Sequence, residues 1–194
     1  MTQQIKDIFI YNGERLAIDQ YLLEDYFNEF PAERPTSDVF FTALWRKYVV
    51  TSEILNEEFI VRSIRVVSPT RDMGFEDWKG NFPLNKKFDW FSGLIRIDPN
   101  RLSDWKEESD CFEFLEVYRG ELKGFKSFNQ SQLQVFKEEQ FGHFKTTKVY
   151  ETAYNDLKER TTAWAVHKID GLIKGVLLKR YSRTLVETAY QSKG

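Results

Sequence analysis

The segment VFFTALWRKYVVTSEILNEEFIVRSIRVV, residues 39–67, decides the fold because it is rich in β-branched and aromatic residues. Such residues favour strands, and Asn56-Glu57-Glu58 in its middle favours a tight turn, so the segment predicts two antiparallel strands. If side chains alternate along the first strand, two sets of them face opposite sides of the sheet. One set is Leu44, Arg46 and Tyr48, and the other is Trp45, Lys47 and Val49. Two interpretations stay open, a binding surface or a sheet with one buried face and one solvated face.

The flanking sequence on the N-terminal side predicts a hairpin and a helix. In IKDIFIYNGERLAI, residues 5–18, two apolar runs flank Asn12-Gly13, which supplies the positive φ angles of a type I′ turn. Residues 20–30, QYLLEDYFNEF, carry apolar side chains at helical spacing, and Asp19 is in place to cap a helix there. The chain therefore opens with a hairpin that is followed by one early helix.

The sequence on the C-terminal side predicts further strands beyond a long polar segment. Residues 68–89 contain two prolines and two glycines and predict a loop. The segment WFSGLIRI, residues 90–97, predicts a strand. CFEFLEVYRGELKGFKSF, residues 111–128, predicts a second hairpin with its turn at Arg119-Gly120. The strands of residues 5–128 number about six.

Beyond Phe128 the spacing of apolar residues becomes helical. Three helices are predicted: from Asn129 or Ser131 to about Phe141, from Thr147 or Thr152 to a break at Asp170-Gly171, and from Leu172 onward. Strands followed by helices predict an α+β fold, in which an antiparallel sheet of hairpins with one early helix is packed against the C-terminal helices. The same pattern predicts a β-rich body, residues 1–128, and a helical segment, residues 129–194, within one compact domain.

Composition predicts a soluble, cytoplasmic protein. The chain has 194 residues, a formal net charge of -2 and 16% aromatic residues, which favour a β-rich core and are also enriched at interfaces. Its single cysteine excludes an internal disulfide, and the sequence shows no signal peptide and no apolar run of about 20 residues. Residues 1–144 carry an acidic excess and residues 145–194 a basic excess. The basic residues are dispersed, so we expect no nucleic-acid partner and no membrane partner.

Motifs of the main catalytic and ligand-binding classes are absent from the sequence. Two histidines and one cysteine are too few for a zinc site, and neither a glycine-rich phosphate-binding motif nor a GxSxG motif occurs. Cys111 stands in an apolar run, which predicts a buried inert thiol. His143 stands among phenylalanines and His167 near a predicted helix end, so both are expected to be structural. We predict no catalytic residue, no cofactor and no metal.

The tryptophans and arginines of the β-rich part are the candidate binding residues. Trp78 and Trp105 each stand between Asp and Lys, a setting typical of a half-exposed indole in a loop. Exposed tryptophan together with arginine is the composition of a protein-binding hot spot, although the core is the commoner place for an indole. The candidate surface consists of Trp45, Arg46, Trp78, Trp90, Arg96 and Trp105.

Two parts of the sequence resemble a family of small bacterial proteins of unknown activity. TALWRKYVVTSEI, residues 42–54, resembles a strand of the pattern ALWRGY-ATWEI, and FDWFSGLIRI, residues 88–97, resembles a strand of the pattern DWFSG-LRI. The chain departs from these patterns at Lys47, where the family has Gly, and at Ser52, where it has Trp. The resemblance lies within residues 5–126 and implies no activity, cofactor or partner.

Two functional hypotheses are compatible with these features. The first is a non-enzymatic protein-binding module, in its specific version an immunity or antitoxin protein that covers a basic toxin, because the β-rich body is acidic and rich in aromatics. The second is a small-ligand-binding protein or enzyme with a pocket lined by Trp45, Arg46, Trp90 and Arg96, since arginines bind carboxylate and phosphate groups. Against the second, Arg46 is expected to be a semi-buried arginine paired with Asp89 or Glu53. The oligomeric state stays open.

Overall fold

The structure is a computed structural model that describes residues 4–18, 20–37, 39, 41–68, 74–97, 111–161 and 166–180. The elements of this part of the chain are β1 Asp7–Tyr11, β2 Glu14–Ile18, α1 Leu23–Glu29, β3 Tyr48–Leu55, β4 Glu58–Val67, β5 Phe75–Asp77, β6 Gly93–Arg96, β7 Phe112–Tyr118, β8 Glu121–Phe128, α2 Gln130–Phe144, α3 Lys148–Arg160 and α4 Val166–Arg180. The predicted α+β class, with one early helix and three C-terminal helices, is confirmed. The described strands number eight rather than about six.

Backbone angles confirm the three predicted hairpin turns. Asn12-Gly13, Asn56-Glu57 and Arg119-Gly120 each place two consecutive residues at positive φ, from 48° to 80°. Two left-handed residues in succession match the twist of the flanking strands, so turns of this kind join antiparallel neighbours directly. The turns connect β1 to β2, β3 to β4 and β7 to β8, which are neighbours in the sheet.

Contacts divide the described chain into two compact units. The first unit holds the described residues up to Trp90 together with Arg119–Leu122. Its strands lie in the order β2-β1-β3-β4, with β5 paired to β4 and with Glu121, at the start of β8, opposite Glu58 of β4. β1 and β3 run parallel because the chain crosses over through α1 between them, so the sheet is mixed rather than purely antiparallel as predicted.

Aromatic rings fill the core of the first unit. Phe9 of β1 meets Phe59 of β4 edge-on with ring centroids 5.7 Å apart, and Phe59 stacks on Phe88 at 4.1 Å. α1 places Phe27 against Tyr48 of β3 at 5.3 Å. All five rings are buried. Since each aromatic side chain removes a large apolar area from water, these contacts are a main source of stability for the sheet.

The second unit contains β6, β7, the rest of β8 and the three C-terminal helices. β6 pairs antiparallel with β7, and Leu133 of α2 packs on Leu94 and Phe114 of these strands. A second apolar cluster joins the end of α2 to α4. It consists of Phe141, Phe144, Ile169 and Ile173, with α3 residues packed against it. α2 therefore packs on strands of its own unit, and the second cluster holds the three helices together.

Side-chain caps decide between the alternative starts predicted for α2 and α3. Asn129 accepts a hydrogen bond from the Gln132 amide at 2.9 Å, and the Gln132 side chain accepts one from the Asn129 amide at 2.9 Å. This reciprocal capping box satisfies two amides that the helix leaves unpaired. Thr147 caps α3 by accepting from the Tyr150 amide at 3.2 Å. The predicted starts at Asn129 and Thr147 are the ones that the chain uses.

Three predicted helix boundaries are wrong. α3 ends at Arg160, well before the predicted break at Asp170-Gly171. α4 continues through Asp170-Gly171, because Ile169 and Ile173 are buried on either side of the glycine and their packing outweighs its cost of about 1 kcal/mol. α1 begins at Leu23 rather than at residue 20 and has no side-chain cap. The cap predicted for it, Asp19, lies outside the described residues.

Two predicted strand boundaries are also wrong. The first strand of the 39–67 segment begins only at Tyr48, because residues 42–47 form two successive turns. β5 lies within residues 68–89, which the sequence predicts as a loop. This strand of three residues is too short to show a hydrophobic period, and pairing with β4 defines it.

Candidate functional site

The turns of residues 41–47 expose Trp45. Leu44 donates its amide to the Phe41 carbonyl at 2.9 Å, and Lys47 donates to the Leu44 carbonyl at 2.9 Å. Lys47 closes the second turn with a positive φ of 69°. The indole of Trp45 is 53% exposed, whereas Leu44 and Arg46 on either side are at most 2% exposed. The sequence LWRK therefore alternates between inside and outside, although it is not a strand.

Residues before β1 form hydrogen bonds with these turns. The Gln4 side chain donates to the Thr42 carbonyl at 2.8 Å and accepts from the Trp45 amide at 3.2 Å. The Ile5 amide donates to the Ala43 carbonyl at 2.8 Å. The backbone that carries Trp45 is thus held by hydrogen bonds from a second segment of chain, and this arrangement reduces the conformational entropy that binding would cost.

Arg46 anchors the same turn in the interior. Its Nη1 lies 2.9 Å from both carboxylate oxygens of Asp7, and its Nη2 donates to the Ile5 carbonyl at 2.8 Å. The guanidinium stacks over Tyr21 at 3.8 Å from the ring centroid. The Nε atom is buried and has no partner among the described residues. Arg46 is therefore a structural cation, as expected, but its partner is Asp7 and not Asp89 or Glu53.

The two carboxylates predicted to pair with Arg46 have other environments. Asp89 is exposed, and Glu53 forms an ion pair with Arg62 at 2.9 Å. Asp7 is separated from Arg46 by 39 residues, and only the parallel pairing of β1 with β3 brings them together. A sequence signal for this partner exists, since Asp7 is a carboxylate within the apolar run IKDIFI.

Asp7 combines deep burial with a compensating set of donors. Burial is the largest influence and raises the pKa of Asp7 from 3.8 to about 6, and the Arg46 charge and the hydrogen bond from the Val50 amide oppose this increase. Asp7 is 3% exposed. At pH 7 the carboxylate is ionised and the ion pair is formed. As the pH falls below about 6, Asp7 takes up a proton that the unfolded chain would not yet bind.

A second polar network connects β3 to α1. The Tyr48 hydroxyl donates to Glu24 at 2.5 Å, and Arg34 binds both oxygens of Glu24 at 3.1 Å. Burial and the Glu24 carboxylate raise the pKa of Tyr48, so this phenol stays protonated. The bidentate arginine and the phenol satisfy the half-buried carboxylate. This network of hydrogen bonds joins β3 to α1 and to Arg34.

An aromatic cluster surrounds the ammonium group of Lys86. The Nζ atom lies 4.3 Å from the ring centroid of Tyr26, 5.5 Å from that of Trp90 and 5.7 Å from that of Phe82. Lys86 also donates to the Tyr26 hydroxyl at 2.8 Å, and this hydroxyl donates to Glu33 at 2.7 Å. A cation held by aromatic rings is favourable in such a partly dry site. Lys86 was not among the residues predicted to form a binding surface.

The candidate surface predicted from sequence is divided by the structure. Trp90 is half-buried in the aromatic cluster, and its Nε1 is buried without a partner among the described residues. Trp78 follows β5 and is half-buried, with its ring over Gly80. Arg96 belongs to the second unit, where its guanidinium lies 4.7 Å from the Phe112 ring centroid. Trp105 lies outside the described residues. Trp45 is the most exposed of the three described tryptophans.

Three side chains with reactive or titratable groups lie in environments that the sequence does not predict. Cys111 is exposed, with its Sγ 2.8 Å from Ser127 Oγ, because it precedes β7 and lies beside the exposed row of β8. His143 is exposed in the last turn of α2. His167 is exposed in the first turn of α4, at the end where a cation is not favoured. The predicted burial of Cys111 is therefore wrong.

The described residues contain neither a cluster suited to a metal ion nor a helix suited to span a membrane. No group of three or more His, Cys, Asp or Glu side chains is arranged to hold a metal ion. None of the helices in the described ranges has the length and apolar character needed to cross a membrane. Comparison of the chain with known protein families, curated proteins and solved structures found no match.

Proposed function

We propose that this chain is a non-enzymatic protein-binding module and that Trp45 is the anchor of its binding surface. The observation that carries the proposal is a large indole, 53% exposed, on turns fixed by Gln4 on one side and by Arg46 on the other. Among the described residues, no aromatic ring or cation contacts this indole. Tryptophan is enriched in hot spots because it buries a large area at little entropic cost.

The charge distribution supports a basic partner. Residues 1–144 contain 18 basic and 25 acidic residues, an excess of seven negative charges. An acidic surface accelerates the approach of a basic protein and disfavours acidic competitors. A toxin with a basic active-site face is a partner of this kind, so the specific form of the proposal is an immunity or antitoxin-type protein of bacterial origin that covers such a face.

The geometry of Arg46 favours this proposal over a ligand-binding pocket. A pocket lined by Trp45, Arg46 and Trp90 would need donors of Arg46 to face the ligand. Both terminal nitrogens of Arg46 are instead bonded to Asp7 and Ile5 inside the protein. A ligand could recruit them only by breaking a buried ion pair, and that step would cost several kcal/mol.

The test compares wild type with two variants, each of which lacks one exposed aromatic side chain. Tagged wild-type protein, Trp45→Ala and Phe125→Ala are used to capture partners from the native host. Phe125 is the matched control because it is also 53% exposed and lies on β8 of the second unit. We expect a stoichiometric partner that wild type and Phe125→Ala retain and that Trp45→Ala loses.

Calorimetry on the purified pair then measures the size of the effect. Loss of a hot-spot tryptophan costs about 2 kcal/mol or more, which corresponds to a Kd at least ~30-fold weaker. If the partner is basic, raising the salt concentration should slow its association. A partner that Trp45→Ala binds as tightly as wild type would contradict the proposed anchor, and the absence of any stoichiometric partner would contradict the proposed function.

A further inference from the structure

Asp7 is a buried carboxylate whose hydrogen-bond donors come from other segments of the chain. It accepts from Nη1 of Arg46 at 2.9 Å and from the Val50 amide at 2.9 Å. It also lines a small cavity together with the buried polar side chains of Gln20 and Ser52. The side chain of Arg46 is 0% exposed and that of Asp7 4%, so solvent screens their attraction only weakly. Arg46 therefore depends on Asp7 for its counter-charge.

The other titratable groups that act on Asp7 within the described chain are Glu24 of α1 and Tyr48 of β3. Glu24 binds Arg34 at 3.1 Å through both of its oxygens and accepts from the Tyr48 hydroxyl. Burial and Glu24 raise the pKa of Tyr48, so its phenol stays protonated. Because Glu24 is already bonded to Arg34 and Tyr48, the charge balance of Arg46 rests on Asp7.

A proton on Asp7 would leave Arg46 as a buried cation without an adjacent negative charge. The contacts that remain include the Ile5 carbonyl at 2.8 Å and the Tyr21 ring at 3.8 Å from its centroid. An unpaired buried cation is strongly unfavourable, whereas a neutral carboxyl tolerates burial. Arg46 lowers the pKa of Asp7 while the two are paired. By linkage, protonation of Asp7 favours the arrangement in which Arg46 has left the interior.

Departure of Arg46 would loosen the backbone that carries Trp45. Trp45 immediately precedes Arg46, and Lys47 on its other side has a positive φ of 69°. Such a φ is uncommon for lysine and persists only where the surrounding structure maintains it. Leu44 packs against Val49 and Val67 and does not depend on the ion pair. The loosening is therefore limited to residues 45–47.

We propose that Asp7 is a pH-sensitive switch, in which proton uptake by its carboxylate releases Arg46 and makes the turn of residues 45–47 mobile. Burial raises the pKa of Asp7 to about 6, which places the change between about pH 7 and about pH 5. The consequence for partner binding rests on the proposed function. A mobile Trp45 would lose more freedom on contact with a partner, so partner affinity should fall over the same range.

The experiment follows the intact, isotope-labelled protein by NMR from about pH 8 to about pH 5, without a partner. The carboxyl carbon shift of Asp7 reports its protonation, and amide order parameters report the mobility of residues 45–47. Two variants are compared with wild type. Asp7→Asn imitates the neutral carboxyl at every pH. Glu53→Gln is the matched control, because Glu53 is the carboxylate of another arginine ion pair in the same unit.

In wild type and Glu53→Gln, order parameters of residues 45–47 should fall from about 0.85 toward about 0.6, with the same midpoint as the Asp7 titration. In Asp7→Asn they should be low at every pH. An Asp7 that does not titrate in this range, a constant turn, or an equal pH response in Asp7→Asn would overturn the proposal. If Asp7→Asn does not fold, two different midpoints in wild type would overturn it and one shared midpoint would support it. Since no partner is used, a protein that switches but binds nothing refutes the proposed function alone.

Discussion

Replacing Arg46 by methionine tests how much the buried ion pair of the first unit contributes to stability. Methionine keeps an unbranched apolar side chain of comparable length but removes every donor. The variant loses both bonds to Asp7 and the bond to the Ile5 carbonyl. Asp7 remains 3% exposed in the wild-type packing and retains one donor, the Val50 amide at 2.9 Å. A buried carboxylate is thereby left without its counter-charge.

The expected cost is about 3–5 kcal/mol, the usual range when one partner of a buried ion pair is removed. Domains of this size unfold with about 5–15 kcal/mol, so the first unit should be strongly destabilised but should still fold. The pKa of Asp7 is already about 6 with Arg46 in place, and it must rise further when the lowering influence of the guanidinium is removed. The folded variant therefore keeps the proton of Asp7 to a higher pH than wild type does.

This protonation has a recognisable pH signature. The folded variant holds a proton that the unfolded chain releases above pH 3.8, so its stability falls by about 1.4 kcal/mol for each pH unit above that value. In wild type the decline caused by Asp7 ends near pH 6, where the folded carboxyl also ionises. Between pH 6 and 8, Arg46→Met should continue to lose stability relative to wild type.

Urea unfolding at several pH values measures these free energies, with Asp7→Asn and the double variant Asp7→Asn/Arg46→Met as controls. In the double variant the amide oxygen of asparagine can still accept from the Val50 amide, and no charge is left buried. The double variant should therefore regain much of the stability that Arg46→Met loses. A loss below about 1 kcal/mol in Arg46→Met, or additive effects in the double variant, would refute the idea that this pair is coupled and buried.

Three further predictions concern Asp7, a pair of turn glycines and a helix cap. Relative to Asp7→Asn, wild type should lose about 3 kcal/mol of stability as the pH rises from about 4 to about 6, because folding raises the pKa of Asp7 from 3.8 to about 6. If urea unfolding gives the same difference in free energy between the two proteins at every pH, the prediction is wrong. Gly120→Ala should cost about 2 kcal/mol of stability or more, because its Cβ would lie 2.8 Å from the Phe88 carbonyl oxygen. Gly13→Ala has a similar φ and no atom within 4 Å of its Cβ, so it should cost only about 1 kcal/mol. Thermal unfolding compares the two variants, and equal losses of stability would exclude the contact with Phe88 as the cause. Asn129→Ala should cost about 1 kcal/mol through loss of the capping box, measured as a lower urea midpoint at unchanged m, and an unchanged midpoint would show that the cap adds nothing.

Local signals predicted the parts of the fold that depend on neighbouring residues. Asn12-Gly13 and Arg119-Gly120 define their turns because two adjacent residues must adopt left-handed angles, a requirement that few sequences satisfy. Asn129 and Thr147 likewise cap helices through amides only three residues away. Each of these interactions is complete within a few residues, so the sequence alone contains the necessary information.

Long-range interactions explain why some of the predictions from sequence were wrong. Glycine at position 171 suggests the end of a helix, yet tertiary packing of Ile169 and Ile173 carries α4 through it. The partner of Arg46 could not be chosen by proximity in sequence, because Asp7 reaches it only through the parallel pairing of β1 with β3. Alternation within residues 44–47 predicted that Leu44 and Arg46 lie on the side opposite Trp45 and Lys47, but not that the backbone would turn, since successive turns and a strand can show the same period.

The positions of Trp45 and Arg46 link the stability of the fold to the proposed function. Adjacent side chains point in opposite directions, so the bonds of Arg46 to Asp7 and Ile5 fix the backbone from which Trp45 projects. A tryptophan on a fixed backbone loses little freedom when a partner covers it, and this pre-organisation improves affinity without adding a contact. Arg46→Met should therefore weaken partner binding even though Arg46 touches no partner, through greater mobility of the turn. Under the pocket hypothesis, by contrast, loss of Arg46 would abolish binding and leave the protein as stable as wild type.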